Sequence, residues 1–154
     1  LVDSLSVAAF LAGPRVADVG TGAGLPGIPL ALLRPDWAFT LVDTNSKKTR
    51  FLNQVKLELA LDNCDVVHQR VENLRPDAGF DTVISRAFST LGEFWRLASH
   101  LLKPGGRLVA MKGRRPDAEV AALPAGVSSD IIALGSSPGA GERHVVVLQA
   151  GNLR

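Results

Sequence analysis

The chain predicts an α/β fold with a doubly wound, mostly parallel sheet, and three observations carry that expectation. Short β-branched runs alternate with helical patterns along most of the chain, the order of βαβ crossovers. The run Phe80–Ser85, with Phe80, Val83 and Ile84, reads as a strand covered on both faces. At residues 16–27 an apolar run ends in glycines at alternate positions, Gly20, Gly22 and Gly24, and then passes into a helical pattern. That third stretch reads as strand, tight turn and helix, a cradle in which backbone N–H groups approach a polar ligand closely.

In order, residues 1–12 predict a helix stopped by Gly13 and Pro14, and Arg15–Val19 a first strand. A helix follows over 25–33, with Pro26 in its first turn. A second strand over 37–42 ends on Asp43, and Asn45 or Ser46 caps a helix whose apolar face is Phe51, Leu52, Val55 and Leu59. Residues 66–68 form a short third strand, and residues 69–73 a loop. Phe80–Ser85 is the fourth strand, followed by a helix over 90–102, a turn at Lys103-Pro104-Gly105-Gly106 and a fifth strand over 107–112. A short helix over 117–123 and β-rich runs at 129–134 and 144–149 complete the chain.

Ligands in doubly wound sheets bind outside the carboxyl ends of the strands. Gly20, Asp43, Val71, Glu72, Arg86 and Lys112 all stand at strand ends, so the fold gathers them into one crevice. Asp43 lies 23 positions after Gly20, near the spacing at which a carboxylate after the second strand accepts hydrogen bonds from a ribose diol. Gly22-Ala-Gly24-Leu-Pro-Gly27 matches G-x-G-x-x-G literally, but the glycine at the strand end is Gly20. From there Leu25 occupies a position where it leaves little room for a pyrophosphate. A nucleoside bearing a sulfonium amino acid needs no phosphate nest and fits better, which makes S-adenosylmethionine the favoured occupant, over Gly20, Gly22, Gly24 and Asp43. Glu72 and the Val71 backbone would flank the adenine.

At 154 residues, 46% hydrophobic and 21% charged, the chain is one globular domain, residues 1–154. No apolar run reaches the length of about 20 that spans a bilayer, so no membrane partner is expected. The single cysteine, Cys64, excludes an internal disulfide and suggests a reducing, cytoplasmic setting. Three histidines and one cysteine without H-x-x-x-H or C-x-x-C spacing predict no metal site. Net charge is +2, yet Lys47, Lys48 and Arg50 cluster at one helix start and Lys112, Arg114 and Arg115 after a strand, which suits an anionic partner. Residue 1 is Leu, so the start of a longer protein is expected to be missing. His144 and His68 read as core or edge residues, and Phe88 either as core or as a stacking surface for an everted base.

The stretch Asp18-Val-Gly-Thr-Gly-Ala-Gly-Leu-Pro-Gly-Ile-Pro-Leu30, with Arg70-Val-Glu72, Ile84-Ser-Arg-Ala-Phe88, Met111-Lys-Gly113 and Gly141-Glu-Arg-His144, resembles the bacterial small-subunit ribosomal RNA methyltransferase G family, also called glucose-inhibited division protein B. The resemblance implies a seven-stranded class I methyltransferase fold with an antiparallel last strand. It implies N7 methylation of a guanine in 16S ribosomal RNA, with S-adenosylhomocysteine as product and the RNA or the small ribosomal subunit as partner. Such proteins usually carry a further helical segment before the equivalent of Leu1. Cofactor contacts would fall on Gly20, Leu25, Val71, Glu72 and Arg86, and RNA-binding or catalytic roles on Arg70, Arg86, Lys112 and Arg143. Lys112-Gly-Arg114-Arg115 would form a phosphate-binding lip, and a monomer is expected. Two other readings stay open: a methyltransferase for a small molecule or protein, and a non-catalytic nucleotide-binding module that takes NAD.

Overall fold

The computed structural model describes residues 2–86, 88, 90–137 and 141–151. Seven strands form one sheet in the order β3-β2-β1-β4-β5-β7-β6. They are β1 (Arg15–Val19), β2 (Ala38–Asp43), β3 (Cys64–His68), β4 (Phe80–Ser85), β5 (Leu102–Lys112), β6 (Val127–Ser137) and β7 (Gly141–Ala150). The first five run parallel to one another, while β7 lies antiparallel between β5 and β6. The helices are α1 (Val2–Ser6), α2 (Gly27–Leu33), α3 (Ser46–Glu58), α4 (Leu91–Ala98) and α5 (Asp117–Ala121). Strand order reverses at β1, with β2 on one side and β4 on the other, so the switch point opens above the glycine turn.

The two-residue alternation of strand side chains divides the core between the two faces of the sheet. Ala17, Val19, Val83, Leu108, Ala110, Val146 and Leu148 join Leu91, Phe94 and Ala98 of α4. Val16, Ile84, Val109, Val145 and Val147 join Val7, Leu30 and Ala31 on the other face. All of β4 is buried, including Asp81, Thr82 and Ser85, whose side chains are hydrogen-bonded to Arg15 N, Ala12 O and Val19 O.

Several boundaries differ from the sequence expectation for identifiable reasons. The first helix does not run over 1–12: it stops at Ser6, and a 3-10 turn at Ala8–Phe10 follows because Val7 and Ala8 turn into the core. The helix after the glycine turn begins at Gly27 rather than residue 25, with Pro26 at its N-cap. The third strand begins at Cys64, two residues earlier than expected. The helix after β4 ends at Ala98 and tightens into a 3-10 turn, Ser99–Leu101.

Lys103 to Gly106 is not a free turn but an insertion within β5. Phe80 pairs with Leu102 and Thr82 with Arg107, so five β5 steps oppose two on β4. Gly106 allows this because a Cβ there would come within 2.8 Å of the Phe80 carbonyl. The last two strands are longer than their apolar runs, since pairing with each other carries them past those runs.

Asn45 caps α3 as anticipated, its side chain accepting from Lys47 N and Lys48 N. The expected apolar face does not hold. Thr49 and Leu52 are buried, whereas Phe51 is 53% and Leu59 49% exposed. The helix lies against β2 and β3 at the sheet edge, and Leu52 Cδ2 reaches to 3.0 Å from the Cβ position of Gly24. Only a narrow stripe is covered. Leu52→Ala is therefore expected to lower unfolding free energy by about 2–5 kcal/mol, as for other buried leucines. Phe51→Ala should cost less than about 1 kcal/mol. Urea denaturation of the two variants measures the difference.

Candidate functional site

The glycine turn is shaped by backbone conformation. Gly20, Gly22 and Gly24 have φ of 69°, 59° and 92°, a region where a Cβ meets its own backbone. Gly20 N and Thr21 N both donate to Val42 O, at 2.8 and 3.2 Å, so the turn is pinned to the end of β2. Gly22 N donates to Asp43 Oδ2 at 2.9 Å, and Asn45 N to Asp43 Oδ1 at 2.9 Å. Two backbone donors fix the carboxylate, and each oxygen keeps acceptor capacity for a further partner.

Asp18 lies beneath this turn. It shares strand parity with Val16, so its side chain enters the face covered by α2, where it is 1% exposed. Oδ2 accepts from Thr21 Oγ1 at 2.8 Å and from Gly27 N at 2.9 Å. Oδ1 is buried with no hydrogen-bond partner among the described residues. Burial pushes its pKa up to about 7, against the opposing pull of the Thr21 and Gly27 hydrogen bonds and of Arg86. Gly27 is required there: a Cβ would lie 2.3 Å from Leu41 Cδ2 and 2.9 Å from Asp18 Oδ2.

Beside the turn is a cleft lined by Val19, Gly20, Val42, Asp43, Thr44, Gln69, Arg70, Val71, Glu72, Phe88 and Leu97. One carboxylate stands at the end of β2, with apolar walls from Val42, Val71, Phe88 and Leu97. Glu72 sits in a 3-10 turn, Val71–Asn73. This donor set suits a nucleoside, with an acid for a diol and a flat apolar slot for a base. Gly22, Gly24 and Leu25 shape the turn and do not line the cleft. Phe88 stacks on Phe94, with centroids 5.0 Å apart, so it is a wall of this cleft.

The remaining strand-end residues form a second cleft, not a single crevice with the first. Arg86, Met111, Lys112, Gly113, Leu134, Glu142, Arg143 and His144 line it. Arg86, just past the end of β4, and residues from β5, β6 and β7 meet here because β7 runs antiparallel beside β5, which sets Lys112 opposite His144. His144 is buried on an inner strand, and its Nδ1 lies 3.0 Å from Gly113 O, which makes it the core residue among the two readings, core or edge, that the sequence offered. Lys112 Nζ is 3.0 Å from Glu119 and donates to Phe88 O at 3.4 Å, so it touches the wall between the two clefts. Arg114 and Arg115 are exposed on a shallower adjoining hollow, and Arg115 pairs with Asp117 at 2.9 Å.

Sequence reasoning did not single out Thr44, Leu97, Met111, Leu134, Glu119 or Glu142 as site residues. Thr44, Leu97, Leu134 and Glu119 lie on or beside separate elements whose mutual placement only the sheet decides. Met111 and Glu142 lay inside the Met-Lys-Gly and Gly-Glu-Arg-His motifs, where they carried a signal but no assigned role. Among the described residues no group of His, Cys, Asp and Glu is placed to hold a metal, and no described helix is long and apolar enough to cross a membrane.

Residues 1–146 match the family model described as rRNA small subunit methyltransferase G. A ribosomal RNA small subunit methyltransferase G of Nitrosospira multiformis is 50% identical over 157 residues, covering 97% of this chain and 73% of the relative. Among solved structures, a predicted O-methyltransferase of Agrobacterium tumefaciens superposes with a TM-score of 0.76 at 24% identity, over 98% of this chain and 81% of that one. The O-methyltransferase TomG of Streptomyces achromogenes, solved in complex with SAM, does so at 0.67 and 17%, over 98% and 78%. The fold is that of class I S-adenosylmethionine-dependent methyltransferases.

Asp18 makes stability depend on pH. Unfolded, it ionises near 3.8; folded, near 7. Between those values the native state holds the extra proton, so its contribution to stability is lost as pH rises from about 4 to 7. Asp18→Asn keeps an acceptor for Thr21 and Gly27 and removes the titration. The difference in unfolding free energy between the parent chain and this variant is expected to shift by a few kcal/mol, on the order of 1.4 per unit, across that window. Urea titrations at pH 4.5, 5.5, 6.5 and 7.5 test it; a constant difference rejects the assignment.

Proposed function

The chain belongs to the rRNA small subunit methyltransferase G family, and from that membership we propose that it transfers a methyl group from S-adenosylmethionine to N7 of a guanine in 16S ribosomal RNA. The observation that carries the reading is the pairing of two clefts across one wall. One presents an acid and apolar faces to a nucleoside; the other gathers Arg86, Lys112 and Arg143.

S-adenosylmethionine would supply the electrophilic methyl group. Asp43 accepts from the ribose hydroxyls with the lone pairs that Gly22 N and Asn45 N leave open. Val71 and Glu72 meet the adenine edge, Val42, Phe88 and Leu97 cover its faces, and Gly20 lets the backbone approach. Leu25, Gly22 and Gly24 keep the turn in shape beside them. Asp18, with one buried oxygen that has no partner among the described residues, holds β1, the turn and α2 together below the site.

Guanine N7 carries an in-plane lone pair and no proton, so its attack needs no general base. Orientation is the chain's main contribution. The base becomes cationic on transfer, so a cation pressed against N7 would oppose the reaction. Arg86, Lys112 and Arg143 serve better on O6 and the neighbouring phosphates: an arginine that reads the O6/N7 edge in bidentate fashion can keep O6 while it releases N7 for attack. Glu142, on the same cleft, offsets part of their charge. Arg70, exposed at the mouth of the first cleft, and Arg114 and Arg115 beyond the second extend this rim and contact phosphates without reading sequence.

Calorimetry is expected to detect S-adenosylmethionine binding and none of NAD. Asp43→Ala should weaken that binding at least 10-fold, equivalent to about 1.4 kcal/mol. Unmodified small subunits and naked RNA, incubated separately with labelled S-adenosylmethionine, should yield N7-methylguanine at one position by aniline cleavage. Label on protein or small molecules alone rejects the substrate. Removing Arg114 and Arg115 together should flatten the salt dependence of RNA binding by about 0.7 in log–log slope per lost phosphate contact, with cofactor affinity unchanged.

A further inference from the structure

Glu119 is absent from every motif discussed above, yet its carboxylate lies behind the second cleft at the junction of three elements. Its Oε1 is 3.0 Å from Lys112 Nζ at the end of β5. The same oxygen accepts the Leu91 N–H at 2.8 Å. Leu91 is the first residue of α4, and its N–H has no acceptor within the helix. The helix carries its own cap as well, since the Thr90 side chain accepts from Glu93 N. Glu119 sits on α5, so one short helix reaches across to hold a strand end and a helix start.

The consequence falls on Lys112. A lysine side chain at a strand end has four rotatable bonds and samples many positions. Here its side chain is only 15% exposed, Glu119 is 28% exposed, and the ammonium also donates to Phe88 O. Phe88 walls the first cleft and Lys112 lines the second. The ammonium is thereby held at the partition between them, beside two further cations, Arg86 and Arg143, that line the same cleft. A carboxylate behind Lys112 offsets their mutual repulsion and fixes the direction from which the ammonium faces an incoming base.

We infer that Glu119 is a positioning residue for methyl transfer: it holds the Lys112 ammonium at the wall between the two clefts, ready for the O6 edge or phosphate of the target guanine. This rests on the guanine reading given above. A purely structural Glu119 would serve only to accept the Leu91 N–H, and Glu119→Gln separates the two roles, since the amide oxygen still accepts that hydrogen bond while the charge opposite Lys112 is gone.

Turnover is measured with unmodified small subunits and labelled S-adenosylmethionine. Glu119→Gln is expected to lower kcat at least 10-fold, with cofactor Kd and melting temperature close to those of the parent. Lys112→Ala should lower kcat too, and the double variant should be no slower than Lys112→Ala alone, because residues acting as a unit are not additive. Independently of turnover, acylation of amines by acetic anhydride, read residue by residue by mass spectrometry, should modify Lys112 at least fivefold faster in Glu119→Gln, with Lys47 as reference. A Glu119→Gln chain that retains parental kcat, a double variant whose losses multiply, or an unchanged Lys112 acylation rate overturns the inference. A parent chain that transfers no label to the subunit overturns the guanine reading instead, and the acylation comparison still decides whether Glu119 holds Lys112.

Discussion

The structure depends most on a buried carboxylate tying a strand to the turn and helix that follow it. Asp18 accepts from Thr21 and from Gly27 N, so β1, the glycine turn and α2 share one acceptor. The space it needs is supplied by Gly27, whose missing side chain lets α2 start directly over the carboxylate. Burying a carboxyl group is unfavourable unless hydrogen bonds offset the loss of water. Here they do so only in part, since one oxygen has no partner among the described residues and the pKa is pushed up to about 7. Active sites are where such tension is commonly kept.

From that anchor the site divides by charge. Gly20, Asp43, Val71 and Glu72 stand over the β3-β2-β1 half of the sheet, where an acid and apolar walls suit a nucleoside. Arg86, Lys112 and Arg143 stand over the β4-β5-β7 half, which suits a polyanion. The switch point at β1 sets the two clefts side by side. Ser85 Oγ, donating to Val19 O at 2.9 Å, braces the two strand ends that flank it.

Most of this architecture was legible in residue order. β1 and β4 have the expected limits, the Asn45 cap is as read, and Asp43 ends β2 where a ribose-binding acid would. These features are local: a period of two, a cap or a breaker is complete within a few residues. The apolar face of α3 was misread because periodicity shows which residues could be buried, not how wide a surface the sheet edge offers them. Phe51 and Leu59 fit the pattern but have nothing to cover them. The insertion at residues 103–106 looked like a turn because its Pro-Gly-Gly is turn chemistry; its pairing with β4 depends on residues some 20 positions away.

The order of residues alone determined the fold class, the alternating glycines with their positive φ, and the strand-end positions of the acids and cations, because backbone preference and side-chain period act along the chain. Only the tertiary structure decided that those positions form two clefts rather than one. It also decided that Phe88 walls the first cleft, and that Glu119, unremarkable in sequence, meets both Lys112 and the start of α4. Burial and pairing are properties of neighbours brought together from distant parts of the chain, and the antiparallel return of β7 beside β5 supplies those neighbours.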